Sequence, residues 1–179
     1  MIRSVLNTNI PDVKVIIMKS IVDSRGNFQE VYNKHEFDEA GINFQPVQIN
    51  TSFNYKNSMR GFHYQLAPLQ GRIIFCISGM AFFVAVDMRK DSGTYLRYVS
   101  LSAPASDFCA LYAPAGFAWA LLALSDCNIM YYMDTLYNDV SKIRLVWDDP
   151  DIGVEWPIEN KNMIISHEDK TMSSRFCKI

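Results

Sequence analysis

Arg72-Ile73-Ile74-Phe75-Cys76-Ile77-Ser78-Gly79-Met80-Ala81-Phe82-Phe83-Val84-Ala85-Val86-Asp87-Met88 holds two strand-length apolar runs around a Ser-Gly pair. β-Branched and aromatic residues dominate both runs, and such side chains suit a pleated, buried surface. Ser78-Gly79 reads as a hairpin turn, because glycine supplies the positive φ that tight turns need. Strand signals continue on both sides. Upstream, residues 46–52 and 59–65 form two more runs separated by a polar loop. Downstream, residues 96–101, 108–112, 117–124 and 128–133 follow, with Gly, Pro, Asn and Asp in the short gaps. Many short strands without intervening helices predict an all-β antiparallel sandwich or barrel.

The flanks are plainer. Residues 13–18 form a short β-branched run, and Asp23-Ser24-Arg25-Gly26 reads as a turn leading into an extended stretch at 28–32. Residues 34–40 before Gly41 predict a short helix with a glycine stop. Late in the chain, Lys142 and Arg144 read as an exposed charge pair. Asp148-Asp149-Pro150-Asp151 then opens a polar, irregular tail near Trp147 and Trp156. No repeat, low-complexity tract or linker divides the 179 residues, which fit one domain spanning 1–179.

Composition narrows the function classes. The net charge is −2 and no basic cluster is present, which argues against nucleic acid as a partner. No segment approaches the length of a membrane span, and Met1-Ile2-Arg3-Ser4-Val5 lacks the apolar stretch of a signal peptide. Cys76, Cys109, Cys127 and Cys177 are far apart, with no C-x-x-C pair. Three of them lie in apolar strand runs, where a thiol behaves as a small hydrophobe. A reduced, cytoplasmic setting is expected.

The chemistry concentrates in Met59-Arg60-Gly61-Phe62-His63-Tyr64-Gln65. If the run is extended, Arg60, Phe62 and Tyr64 share one face, and Gly61, His63 and Gln65 the other. A histidine beside glycine and glutamine is not placed like a core residue. Its reference pKa of about 6.5 lets it take a proton near neutrality, so His63 is a candidate general base. His35, in the polar helix, reads as solvated, and His167 reads as surface.

With these elements in order, the sequence resembles the dTDP-4-dehydrorhamnose 3,5-epimerase family, from about Val22 to Asp169. The resemblance rests on Asp23-Ser24-Arg25-Gly26-Asn27-Phe28, Gln48-Ile49-Asn50-Thr51-Ser52 and Arg60-Gly61-Phe62-His63-Tyr64-Gln65. It continues through Gln70-Gly71-Arg72, Pro114-Ala115-Gly116-Phe117-Ala118, Trp147-Asp148-Asp149-Pro150 and Gly153-Val154-Glu155-Trp156-Pro157. It implies a cupin-type jelly roll with short peripheral helices. The implied activity is epimerisation of a nucleoside-diphosphate 4-keto-6-deoxyhexose by proton abstraction beside the ketone and reprotonation from the opposite face. His63 matches the base, Asp169 its carboxylate partner and Tyr131 the acid. Tyr132, the next residue on that strand, points to the other face. Arg60 and Tyr137 match pocket residues. Arg25, Phe28, Glu30, Gln48 and Asn50 match the nucleotide site, which the family builds partly across a homodimer interface.

Two positions depart from the family pattern. Arg72 stands where lysine is usual after Gln-Gly, and Trp119 where histidine is usual. Arginine keeps a charge near the enolate as a planar fork. Tryptophan removes an imidazole, adds bulk and leaves an indole N–H donor in the pocket wall. These changes keep open a single-carbon epimerase, a ketoisomerase of another sugar nucleotide, and a binding protein without turnover. No metal is expected, because His63 has no neighbouring histidine and Trp119 occupies the later position where a cupin metal ligand would stand. No organic cofactor is expected either.

Overall fold

The computed structural model describes residues 1–171 and 174–176. Its strands are β1 (Ile2–Asn7), β2 (Lys14–Met18), β3 (Ile21–Asp23), β4 (Gly26–Phe28), β5 (Gln48–Asn54), β6 (Ser58–Gln65) and β7 (Arg72–Ser78). They continue with β8 (Met80–Asp87), β9 (Tyr98–Pro104), β10 (Cys109–Ala113), β11 (Phe117–Ala123), β12 (Cys127–Met133), β13 (Lys142–Arg144) and β14 (Ile164–Ile165). Helices α1 (Lys34–Glu39) and α2 (His167–Thr171) are short. One six-stranded sheet runs β1-β2-β10-β7-β12-β5, and a second runs β13-β6-β11-β8-β9 with β14 added to β6. Pairing within these sheets is antiparallel except for β14 on β6.

Burial explains which runs sit where. β8, β10 and β11 are buried on both faces, which is why they read as continuous apolar stretches without alternation. Ile74, Ala85, Leu111, Phe117, Trp119 and Leu121 pack between the sheets. On the outer face of the first sheet, Phe75 and Tyr132 pack against Phe37 of α1, with Ile42 and Phe44 beside it. Gly41 ends that helix as expected, at φ 74°. The outer face of the second sheet is covered by the late segment, whose Leu145, Trp147, Val154, Trp156, Met163 and Phe176 join Phe62 and Tyr64. The tail is therefore irregular but not merely polar: it roofs a core.

Several elements differ from the sequence expectation. The predicted hairpin at Ser78-Gly79 is a crossing, since β7 pairs with β10 and β12 while β8 pairs with β9 and β11. Gly79 has φ 77°, and a Cβ there would overlap the Asp126 carbonyl oxygen. Turn chemistry shows that the chain reverses, but not which sheet receives the next strand. The strand predicted at 28–32 stops at Phe28, and the one at 96–101 is displaced to Tyr98–Pro104.

β6 carries a bulge, and this changes the expected faces. Trp119 pairs with His63 and Leu121 with Arg60, so β11 passes only Ala120 between those pairs while β6 passes Gly61 and Phe62. Arg60 and His63 consequently open onto one cavity, while Phe62 and Tyr64 turn to the outer core. The expectation that Arg60 shares a face with Phe62 and Tyr64 fails for this reason. Gly61 has φ 113°, and a Cβ there would overlap the Trp119 carbonyl oxygen. Gly61→Ala is expected to cost roughly 2–4 kcal/mol, lowering the thermal midpoint on the order of 10 °C. An unchanged midpoint in calorimetry would show that the two backbones do not need this approach.

Candidate active site

One cavity of about 320 Å³ takes its lining from both sheets. Gln48 and Asn50 of β5, Arg72 and Ile74 of β7, and Tyr131 and Met133 of β12 come from the first sheet. Arg60 and His63 of β6, Trp119 of β11 and Lys142 of β13 come from the second, and Tyr137 stands in the connection before β13. His63 and Tyr131 therefore occupy opposing walls. The adjacent Tyr132 is buried in the outer core beside α1, where burial pushes its hydroxyl up to about 12.

His63 Nε2 lies 3.0 Å from Asp169 Oδ1. Asp169 is 5% exposed on α2, and its other oxygen accepts from the Gly61 N–H at 3.5 Å. The carboxylate thus fixes one ring nitrogen and leaves Nδ1 as the second site for a proton. Burial lowers the His63 pKa, contact with Asp169 opposes this, and the charges of Lys142 and Arg72 add to the lowering. The net shift is downward, so the imidazole is largely neutral at neutral pH and able to accept a proton. Asp169 itself is driven up by burial but held below the usual carboxylate range by His63 and the Gly61 N–H.

The cavity is rich in cations. Arg72 Nε donates to Gln70 Oε1 at 2.8 Å, and burial pushes the guanidinium down to about 10, which still leaves it charged at neutral pH. Arg60 Nε donates to Asn54 Oδ1 at 2.6 Å. Lys142 Nζ lies 5.6 Å from the centre of the Tyr137 ring. Among the described residues, none of these three cations has a carboxylate within ion-pairing distance. Three cations without a directly paired carboxylate among the described residues, gathered on one pocket, fit an anionic ligand. Gln48 is pre-set by two contacts, accepting from the Tyr137 N–H at 2.8 Å and donating to Asn50 Oδ1 at 3.3 Å.

The sequence reading missed Lys142 and Arg144. They are not an exposed pair: β13 docks on β6 with Lys142 opposite Gln65 and Arg144 opposite His63. Arg144 ion-pairs with Glu168 and reaches Asp169 Oδ1 at 3.5 Å. The alternation Lys142-Ile143-Arg144 was the available signal, with Ile143 turned to the outer core. Lys142→Met is expected to raise the apparent pKa of His63, because a charge that disfavours imidazolium is removed. The rising limb of a pH–rate profile then moves to higher pH, and activity falls mainly on the acidic side. An unmoved limb would show that the Lys142 charge does not act on the His63 imidazole.

Arg25, Phe28 and Glu30 do not reach this cavity within the chain. Arg25 is bound to Asp23 at 2.6 Å on the exposed β3–β4 hairpin, Phe28 is 63% exposed, and Glu30 accepts from the Met1 amino group at 3.0 Å. His35 and His167 are exposed, as expected. Cys76, Cys109 and Cys127 are buried free thiols, and Cys177 lies outside the described residues. Among the described residues no group of His, Cys, Asp and Glu is arranged to hold a metal ion. Nor is any helix long and apolar enough to cross a membrane.

A two-sheet jelly roll whose cavity sets His63, backed by Asp169 from behind, across from Tyr131 defines a cupin-type pocket. Comparison with known proteins narrows this class. The profile described as dTDP-4-dehydrorhamnose 3,5-epimerase matches residues 7–175. The Shigella flexneri protein of that name is 38% identical over 160 residues, covering 88% of each chain. The crystal structure of dTDP-4-dehydrorhamnose 3,5-epimerase from Elizabethkingia anophelis NUHP1 superposes with a TM-score of 0.91 at 30% identity, over 98% of this chain and 97% of that one. The Legionella pneumophila dTDP-6-deoxy-D-glucose-3,5-epimerase, in complex with dTDP-4-keto-L-rhamnose, gives 0.93 at 29% identity over 98% and 94%. The chain belongs to the dTDP-4-dehydrorhamnose 3,5-epimerase family, and its fold is the cupin-type jelly roll of these structures.

Proposed function

We propose that this protein is an isomerase that epimerises dTDP-4-keto-6-deoxyglucose at the carbons flanking the ketone. The observation that carries the reading is the placement of His63, held by Asp169, and Tyr131 on opposite walls of one cationic cavity. Neutral His63 removes the C–H proton next to the ketone. The bonding electrons move onto the carbonyl oxygen, and Arg72 stabilises the enolate. Tyr131 donates a proton to the opposite face of the carbon, which inverts it. His63 then loses its proton and Tyr131 regains one, both by exchange with solvent. Asp169 orients the imidazole and stabilises the imidazolium. The protein's own residues suffice for each step, without metal or organic cofactor.

Gln48, Asn50, Arg60 and Tyr137 surround the sugar and diphosphate, and Trp119 borders the sugar. Arg25, Phe28 and Glu30 serve the nucleotide site of a second copy in a homodimer of one-domain subunits. Edge strand β5 supports this, since it exposes Ile49 and Phe53 on its outer face with Val47 and Tyr55 nearby. Light scattering should give twice the chain mass, and a monomer would leave those three residues without a role. The buried free thiols suit a cytoplasmic location.

The test is proton NMR with dTDP-4-keto-6-deoxyglucose in deuterated buffer. Deuterium entering at both flanking carbons is expected. Entry at one carbon only would make the protein a single-carbon epimerase. Binding without exchange would leave a sugar-nucleotide binding protein.

A further inference from the structure

Trp119 is 2% exposed, and its indole Nε1 is buried without a hydrogen-bond acceptor among the described residues. Around the ring the protein is apolar, with Ile74, Ala85, Phe117 and Leu121 in the same inter-sheet cluster. The cavity that the ring helps to wall is the side from which an acceptor can come. A buried donor without a partner is costly, and native proteins rarely leave one unexplained. Trp119 stands directly across from His63 in the β6–β11 pairing, where opposed side chains lie about 5 Å apart at Cβ. An acceptor that meets the indole therefore falls within one sugar ring of the carbon His63 reaches.

We propose that Trp119 is a substrate-selecting residue whose Nε1–H donates to a hydroxyl oxygen of the sugar beside the carbon that His63 deprotonates. This rests on the epimerase reading and adds to it the atom by which the sugar, not the nucleotide, is read. Indole donates and cannot accept, so it selects a ring position that presents an oxygen lone pair. A histidine here could accept as well as donate. The indole also takes more of the cavity, which disfavours a larger substituent at the same ring carbon. Arg72, on the opposing sheet, remains free for the ketone oxygen.

The experiment uses the whole protein labelled with ¹⁵N-tryptophan, whose three indole N–H signals are assigned through the Trp147→Phe and Trp156→Phe variants. Adding dTDP alone should leave the Trp119 signal in place. Adding dTDP-4-keto-6-deoxyglucose should move it downfield as the hydrogen bond forms. Trp119→Phe keeps the ring and loses the donor. It should raise KM roughly 10- to 100-fold with a smaller change in kcat, leaving the affinity for dTDP unchanged. A sugar nucleotide that is turned over while the signal stays put overturns the proposal alone, as does a Phe variant with the original KM. A wild-type protein that neither binds nor exchanges this sugar nucleotide overturns the epimerase reading, and the proposal with it.

Discussion

His63→Asn is expected to slow solvent exchange at both carbons flanking the ketone by roughly 10²- to 10⁴-fold, the range a positioned general base contributes. Asparagine cannot take up the proton, so the carbon acid has no acceptor on that wall of the cavity. Asp169 is 5% exposed and loses its contact with the ring, yet it keeps the Gly61 N–H and the nearby Arg144 guanidinium. The fold should persist, with a thermal midpoint only a few degrees lower. The check is the NMR exchange assay beside a melting curve. Exchange at either carbon within threefold of wild type, in a folded variant, would assign the base elsewhere.

Arg72→Met should reduce kcat by roughly 10²- to 10³-fold, since it removes the cation that the proposed mechanism sets against developing enolate charge. Methionine replaces much of the arginine stem, so the effect should lie in charge rather than in packing. Burial lowers the guanidinium only to about 10, so the wild-type group is a full cation through the neutral range. Its low-dielectric setting makes that charge count for more than it would in water. Arg72→Lys should recover part of the loss, because an ammonium restores charge without the two-pronged geometry. Steady-state kinetics separates these outcomes. A methionine variant with unaltered kcat would show that enolate charge is met by another group, with Arg60 and Lys142 of the facing sheet as the alternatives.

How far the sequence could be read depended on what each feature requires. β8, β10 and β11 were legible because both their faces are buried, which leaves long apolar runs. The partner of each strand was less legible. Ser78-Gly79 has hairpin chemistry but links two sheets, because pairing is decided by contacts remote from the turn. The bulge at Gly61 and Phe62 was invisible for a related reason: alternation holds only while the ladder stays in register, and one extra residue exchanged the faces around Arg60. His63, Arg72, Trp119 and Tyr131 do come together in the cavity. Lys142 was overlooked because three residues between loops carry too little pattern to announce a strand. Asp169 was reachable only through family resemblance, since nothing near it in sequence points to a residue so far upstream.

The His63–Asp169 contact joins residues 106 positions apart, and its carboxylate arrives on a five-residue helix. Among the described residues that helix meets the sheets through Arg144, Gly61 and His63, between short anchors at β14 and Ser174, whereas β6 is held along its length by β11 and β13. The two halves of the pair therefore belong to regions of unequal local stability. In a urea titration, turnover should decline before the circular dichroism of the sheets does, as α2 undocks while the jelly roll stays folded. The protein would then pass through a state that is native by spectroscopy and silent by assay, and a half-life measured by activity would understate the endurance of the fold.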